Sequence, residues 1–221
     1  MPNLALIVAM RAEVPHILKR ASGICRIGDN AIRLAVTGIG PQKARRATRQ
    51  VCSGSLGFRP DLLINAGFCG AVRSELEVGH LIIANLIAYR DRVIRPAGAL
   101  VEKAAGLLAG SKYRVGKLQT FNWPVLSRAG VSGNALAVDM EAFAVAQTAA
   151  THQIPAIIIK AVSDVVPRHA GLFRLLTLVR SLKINSAAAG ARLSVIVHKI
   201  LQDQYLLDDF KIRPKIAKNS F

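Results

Sequence analysis

The chain has 221 residues, 52% of them hydrophobic, which is enough to bury one large core. Its most apolar runs, residues 81–88 and 154–159, are far shorter than the roughly 20 residues that a membrane-spanning helix needs, so the pattern excludes such a helix. Thirty Lys and Arg against 13 Asp and Glu give a formal net charge of +17, while the 5% aromatic content disfavours a stacking platform for single-stranded nucleic acid.

The first half of the chain alternates short apolar runs with glycine-bounded turns. Runs of this kind, rich in Ile and Val, are typical of buried strands in a parallel sheet. The pattern predicts a helix over residues 11–20 and a basic helix that follows Gly40-Pro41 and ends near Gly54. Predicted strands occupy residues 4–8, 32–37, 62–65, where Gly67 and Gly70 end the strand, and 81–88.

The second half predicts a polar and less regular stretch over residues 89–124, then an Ala-rich helix over 139–151. A strand follows at 156–159 and ends at Lys160, and a long helix over 172–201 is interrupted near Gly190. Strands that alternate with helices predict an α/β fold, here a single domain over residues 1–202 with a mainly parallel central sheet flanked by helices. Residues 203–221 are predicted to be a basic C-terminal tail.

The basic residues have two interpretations: a solvated face, or a surface for phosphates or an anionic membrane. They are spread along the chain rather than interleaved with aromatic residues, which favours the solvated face and makes nucleic acid an unfavoured partner. The densest groups are Lys43, Arg45, Arg46 and Arg49; Arg90, Arg92 and Arg95; and Lys211, Arg213, Lys215 and Lys218.

The three cysteines, Cys25, Cys52 and Cys69, have neither metal-ligand nor redox spacing. They favour a reducing compartment, the cytoplasm, and the chain start shows no basic leader of a signal peptide. We predict no metal and no cofactor.

Four carboxylates follow predicted strands or begin a helix, namely Glu13, Asp139, Glu141 and Asp164. Each has an ordinary structural interpretation, such as a first-turn carboxylate at Glu13 or a helix N-cap at Asp139. Because ligands of open α/β sheets bind at the carboxyl ends of strands, the set together predicts one shared cleft.

Five short segments follow one another along the chain: residues 9–14 (AMRAEV), 36–40 (VTGIG), 64–71 (INAGFCGA), 138–142 (VDMEA) and 161–164 (AVSD). In this order they resemble the nucleosidase branch of the purine nucleoside phosphorylase and uridine phosphorylase superfamily. The pattern is similar to that of methylthioadenosine/S-adenosylhomocysteine nucleosidases over roughly residues 4–200, and residues 133–141 also resemble the hopanoid-associated nucleosidases, which act on adenosylhopane.

The resemblance implies hydrolysis of the N-glycosidic bond of a 5′-substituted adenosine, with release of the base. Glu13 matches the general base that activates water, and Asp164 matches the acid that protonates the purine. The implied substrate-binding residues are Gly70, Phe121 as the aromatic that stacks on the base (with Trp123 as its rival), Met140 and Glu141 at the ribose, and Lys160, where the family usually places an arginine.

An acid and a base that share a cleft fit cleavage through an oxocarbenium-like state, by the logic of inverting glycosidases. Asp164 then needs a desolvated site in which it holds a proton near neutral pH. Water is favoured over phosphate as the nucleophile because Glu13 stands where phosphate would need cations and Asn65 replaces an arginine of the phosphorylases. Arg11 is the residue that would support the alternative, a phosphorylase. A non-catalytic nucleoside-binding relative also remains open, as do a homo-oligomer, with a dimer favoured, and peripheral membrane contact.

Overall fold

A mixed sheet of nine strands carries the fold in the computed structural model, which describes residues 2–20, 23–55, 57–169 and 174–203. The strands are β1 (Asn3–Val8), β2 (Ile24–Ile27), β3 (Asn30–Val36), β4 (Leu62–Ala71), β5 (Leu81–Tyr89), β6 (Arg92–Ile94), β7 (Tyr113–Thr120), β8 (Ala135–Asp139) and β9 (Ala156–Val165).

In the described part of the chain, helices α1 (Pro41–Cys52), α2 (Gly98–Leu107), α3 (Ala142–Thr151) and α4 (Arg174–Gln202) cover the two faces of the sheet. The strand period of two decides which residues meet which helices. On β1, Leu4 and Leu6 join a core with α2 and α4, whereas Ala5 and Ile7 join a second core with α1 and α3. β1 is therefore buried on both faces, as its continuous apolar sequence indicates.

The strand order places β4 at the centre of the molecule. β1 pairs in parallel with β3 on one side and with β4 on the other, and β2 adds an antiparallel edge. β4 pairs in parallel with β9 and, at its carboxyl end, antiparallel with β8. Since β9 pairs with β5, β5 with β7 and β7 with β8, these strands close into a ring.

The predicted α/β fold with a mainly parallel, helix-flanked sheet is confirmed, although the sheet is mixed rather than purely parallel. The antiparallel pairs are β2 with β3, β4 with β8, β5 with β6 and β5 with β9. Residues 89–124, which were predicted to be one polar and less regular stretch, contain β6, α2 and β7.

Residues 11–20 do not form the predicted helix. They form two single 3₁₀ turns, Arg11–Glu13 and His16–Leu18, separated by extended backbone at Val14. Pro15 disfavours a helical conformation at the residue before it, and it donates no N–H. The Glu13 carboxylate also takes the N–H groups of Ala9 and Met10, which ties the first turn to the end of β1.

Glycine misled the sequence analysis at three positions. β4 runs through Gly67 and Gly70 to Ala71, and α4 runs through Gly190. A Cβ on Gly190 would lie 3.2 Å from the carbonyl oxygen of Ala12, so this glycine lets the helix approach the turn that carries Glu13. β9 likewise continues past Lys160 to Val165.

The predicted tail, residues 203–221, lies outside the described residues except for Asp203, and α4 ends at Gln202. Within the described ranges, no helix combines the length and the apolar character needed to cross a bilayer.

Candidate active site

The carboxyl ends of β1, β4, β8 and β9 surround a cavity of about 180 Å³. Five residues that the sequence analysis proposed for the site line this cavity. Four of them lie on β9 or directly after β1 or β8, and the fifth lies on β4. They are Glu13, Gly70, Met140, Glu141 and Asp164. The predicted shared cleft therefore exists at the strand ends.

The Glu13 carboxylate is held by backbone donors from the segment directly after β1 and from β4. Its Oε2 accepts hydrogen bonds from the N–H groups of Ala9 (2.7 Å) and Met10 (2.8 Å), and its Oε1 accepts one from Phe68 (2.8 Å). Burial raises the pKa of Glu13 above its ordinary value, while Lys160 and the three backbone donors oppose that shift. The result is a fixed carboxylate whose affinity for a proton is increased.

Lys160 is the cation at the centre of the acidic cluster, although it does not line the cavity itself. Its side chain points from β9 into the interior with 1% of the residue exposed, and its Nζ lies 3.0 Å from Asp139 Oδ2. Burial disfavours the ammonium, but Asp139, Glu141 and Glu13 outweigh it and raise the pKa of Lys160 above its ordinary value. This lysine therefore stays charged among three carboxylates.

Gly67 gives that cluster its room. A Cβ at this position would lie 2.9 Å from Glu13 Oε1 and 3.1 Å from Lys160 Nζ, closer than either side chain tolerates without moving. Two charged side chains converge on the backbone of Gly67, so a larger residue would not fit there. The same glycine led the sequence analysis to end the strand too early.

Asp139 joins the ion pair to the start of α3. Its Oδ2 accepts the N–H of Ala142 at 2.8 Å, so the N-cap interpretation describes part of its role. Its Oδ1 accepts the hydroxyl of Thr120 at 2.6 Å, and Thr120 in turn accepts the N–H of Phe143. The sequence analysis assigned no site role to Thr120 or Gly67, and it placed Asp139 in the shared cleft without giving it a specific contact.

Glu141 lines the cavity and also contacts the residue before α1, because its Oε1 accepts the N–H of Gly40 at 2.7 Å. Burial raises the pKa of Glu141 to about 7, with Lys160 and the Gly40 N–H acting against the shift and Asp139 adding to it. Glu141 and Glu13 thus both hold protons more tightly than exposed carboxylates do.

Asp164 lies beside an irregularity in the pairing of β4 with β9. Cys69 is opposite Val162 and Gly70 is opposite Asp164, which leaves Ser163 as the extra residue of a bulge. Ser163 donates its hydroxyl to Asp164 Oδ1 at 3.0 Å. A Cβ on Gly70 would lie 2.9 Å from Val166 and 3.6 Å from Asp164 Oδ2, so this glycine provides the space in front of the carboxyl.

The structure does not bring Phe121 to the cavity lining. Its ring packs instead against an apolar cluster that includes Val72, Val138 and Val166. Trp123 lines the cavity and is 79% exposed, so the aromatic residue at the site is the one that the sequence analysis named as the rival.

The groups that bear on phosphate binding are engaged or lie elsewhere. Asn65 donates its amide to the carbonyl of Ile7 at 3.0 Å, and Arg11 lines a different cavity with Lys19 and Leu34. Within the part of the chain that the structure describes, no group of three or more His, Cys, Asp or Glu side chains is arranged to hold a metal ion.

The chain is similar to known proteins in sequence and in fold. The family model described as "Phosphorylase superfamily" matches residues 3–120 and 106–202. The 5′-methylthioadenosine/S-adenosylhomocysteine nucleosidase of Staphylococcus saprophyticus is 30% identical over 172 residues, which cover 66% of this chain and 74% of that protein. The protein of the same name from Staphylococcus aureus strain bovine RF122 is 28% identical over 177 residues, 69% of this chain and 75% of its own length.

Among solved structures, a 5′-methylthioadenosine/S-adenosylhomocysteine nucleosidase from Neisseria meningitidis, in complex with methylthio-immucillin-A, has a TM-score of 0.77 at 24% identity. It covers 91% of this chain and 99% of its own. A futalosine hydrolase mutant of Helicobacter pylori has a TM-score of 0.73 at 16% identity and covers 89% and 99% of the two chains. These likenesses establish the fold of the chain.

Proposed function

We propose that this chain, which belongs to the phosphorylase superfamily, is a nucleosidase that hydrolyses the N-glycosidic bond of a 5′-substituted adenosine and releases adenine. The single observation that carries this proposal is the backbone-held Glu13 carboxylate in the same cavity as Asp164 and Glu141. The nucleosidase class predicted from the sequence agrees with both curated relatives.

Glu13 is proposed as the general base. Its two oxygens are fixed by the three backbone N–H groups, so the carboxylate is oriented before a water molecule binds. The raised pKa of Glu13 makes it a stronger base than an exposed glutamate, and the nearby Lys160 keeps its charged form accessible.

Asp164 is proposed as the general acid. As the bond between C1′ and the purine nitrogen breaks, its electron pair goes to the purine. The N7 atom of the purine then takes a proton from Asp164. The water oxygen bonds to C1′ and gives its proton to Glu13. Transfer of that proton back to Asp164 through solvent restores the starting state, so each turnover consumes one water and releases free base and sugar.

Glu141 and Met140 are proposed to bind the ribose. Glu141 offers a carboxylate oxygen to the sugar hydroxyls while Gly40 holds its other side, and a charge-assisted hydrogen bond of this kind contributes about 1.5–3 kcal/mol. Met140 lines the same cavity and supplies an apolar contact for the sugar ring.

Water is favoured over phosphate because Glu13 occupies the donors that a phosphate would need. The N–H groups of Ala9, Met10 and Phe68 all point to its carboxylate. A phosphate bound there would lie beside a buried anion, which is costly unless cations compensate. The cation at hand, Lys160, is already paired with Asp139.

The apolar outer lining of the cavity, which includes Ile39, Trp123 and Val125, favours an apolar 5′ substituent. The relatives' names indicate methylthioadenosine and S-adenosylhomocysteine, and the adenosylhopane of the hopanoid-associated group satisfies the same chemistry with a larger group. A homo-oligomer, with a dimer favoured, remains a proposal as well.

The test is to incubate the protein with adenosine, methylthioadenosine, S-adenosylhomocysteine and a lipid-linked adenosine, with and without inorganic phosphate. We expect adenine and free sugar at equal rates in both conditions. Ribose 1-phosphate derivatives that appear only with phosphate would assign a phosphorylase instead. Tight nucleoside binding without any release of base would assign a non-catalytic binding protein.

A further inference from the structure

The mouth of the cavity carries two exposed apolar side chains, and both also line a second, outer cavity of about 420 Å³. Trp123 is 79% exposed and Ile39 is 51% exposed, although each has one side on the catalytic cavity. Large apolar side chains that remain this exposed next to each other at the entrance of a site are typical of surfaces that meet another apolar body.

Basic side chains surround these two residues. Lys43 and Arg45, from the first turns of α1, line the outer cavity with Ile39 and Trp123. Arg90 lines the adjoining groove with Trp123 and lies 5.4 Å from the ring of Tyr89. The guanidinium of Arg92 lies 5.4 Å from the Phe143 ring, and that ring lines the outer cavity as well.

Acidic residues are nearly absent from this face. Among the described residues, none of the side chains that line the outer cavity is an Asp or Glu, and α1 contains no acid along its length. Asp91 lies in the turn between Arg90 and Arg92, so the surface keeps a strong positive charge around its apolar centre.

We propose that this mouth surface, made of Ile39, Lys43, Arg45, Arg90, Arg92 and Trp123, docks the enzyme on an anionic membrane surface. An indole at the level of the lipid headgroups with Lys and Arg around it is the arrangement by which proteins bind such surfaces from one side. Each basic side chain near the headgroups adds to the attraction, and the attraction decreases within a Debye length.

Charge complementarity favours an anionic membrane over a second copy of the chain as the partner of the mouth surface. In a two-fold interface both subunits present the same patch, so this basic surface would meet a second copy of itself. Like charges brought together in this way repel, whereas anionic headgroups neutralise them. When the enzyme docks through this face, its catalytic cavity opens towards the lipid. A nucleoside with an apolar 5′ chain then reaches the cavity without leaving the membrane.

The chain has one tryptophan, so its fluorescence reports on this surface alone. The full chain is mixed with vesicles of phosphatidylcholine and with vesicles that also contain phosphatidylglycerol, and binding is followed by flotation. We expect binding to the anionic vesicles only, weakened by salt, with a blue shift of Trp123 emission and quenching by lipids brominated on their acyl chains. Binding without a blue shift or quenching would mean that another surface meets the membrane and would overturn the proposal.

The variant Lys43→Glu with Arg45→Glu tests the basic part of the surface. We expect its partition onto anionic vesicles to fall by at least about 30-fold, which corresponds to about 1 kcal/mol for each basic residue lost. Hydrolysis of a water-soluble nucleoside should remain unchanged, which separates this result from a failure of the proposed function.

A matched control changes the net charge equally at the far end of the sheet. Lys112 and Arg114 are exposed at the start of β7, while the mouth surface lies beyond the end of that strand. Lys112→Glu with Arg114→Glu should retain binding. Equal loss in both double variants, binding to duplex DNA but not to vesicles, or a dimer that Lys43→Glu with Arg45→Glu dissociates would each overturn the proposal.

Discussion

The cavity has two walls of different construction. The inner wall is formed by Glu13, Gly70 and Asp164, and Gly67 and Lys160 support Glu13 from behind the lining. These residues lie on or against β4 and β9, whose backbone pairing holds them in place. The outer wall, formed by Ile39 and Trp123, lies in segments between regular elements and is largely exposed. Residues that break the bond require fixed geometry, whereas residues that meet the 5′ substituent require room. Substitutions in the inner wall should therefore affect turnover and stability, and those in the outer wall should affect only substrate choice.

The largest effect is expected from the two proposed proton-transfer residues. Asp164→Asn keeps the shape of the side chain but cannot protonate the base, so kcat should fall by about 10²–10⁴-fold. Glu13→Gln should act in the same way through the water. Adenine release measures kcat, and calorimetry with a non-hydrolysable nucleoside should show little change in Kd. Near-normal turnover in Asp164→Asn would remove Asp164 from the mechanism.

Lys160→Met should cause the largest loss of stability, because it leaves Asp139 buried without its cation. Removal of one partner of a buried pair costs about 3–5 kcal/mol of unfolding free energy. Denaturant unfolding provides the measurement. The double variant Lys160→Met with Asp139→Asn should recover part of the loss, and if the two losses simply add, the ion pair contributes no coupling.

Gly67→Ala sharpens the contrast between the walls, since it adds a single methyl group against Glu13 and Lys160. We expect a destabilisation of about 1–3 kcal/mol from overpacking, together with reduced kcat as Glu13 moves. Gly98→Ala serves as the control, because nothing lies within 4 Å of its added Cβ. Unchanged kcat in Gly67→Ala would show that the inner wall is less rigid than its pairing indicates.

A smaller effect should appear as a pH dependence of stability. Burial raises the pKa of Glu141 to about 7 from 4.5, so the folded state binds its proton more tightly than the unfolded chain does. The stability that this proton supplies is complete below the lower value and is lost as the pH rises through the higher one. Glu141→Gln should thus gain thermal stability relative to the unchanged protein as the pH rises from 4.5 to 7, with each kcal/mol worth about 2–4 °C in Tm. A difference in Tm that is constant over this range would contradict the shift.

The smallest effect is expected in the outer wall. Trp123→Ala should leave kcat for a water-soluble nucleoside unchanged and raise KM by at most about tenfold, equal to about 1.4 kcal/mol. Initial rates with adenosine and with methylthioadenosine measure it. A large fall in kcat would show that Trp123 acts on the reacting part of the substrate, and the distinction between the walls would fail.

Local sequence was sufficient for much of this protein. The short apolar runs predicted β1, β3 and β5, Gly40-Pro41 marked the start of α1, and the Ala-rich segment predicted α3. The family followed from the ordered motifs and is confirmed. Five of the seven proposed site residues line the cavity. These features depend on neighbours in the chain or on composition, which the sequence displays directly.

Tertiary structure decided the rest. Gly67 and Gly70 weaken a strand locally, but β4 continues through them because β1, β8 and β9 supply backbone partners from distant parts of the chain. The pairing of Lys160 with Asp139 and the place of Trp123 rather than Phe121 at the cavity likewise depend on which strands become neighbours. Composition and periodicity carry no information on those long-range pairings, since each residue's pattern is the same whichever strand lies beside it.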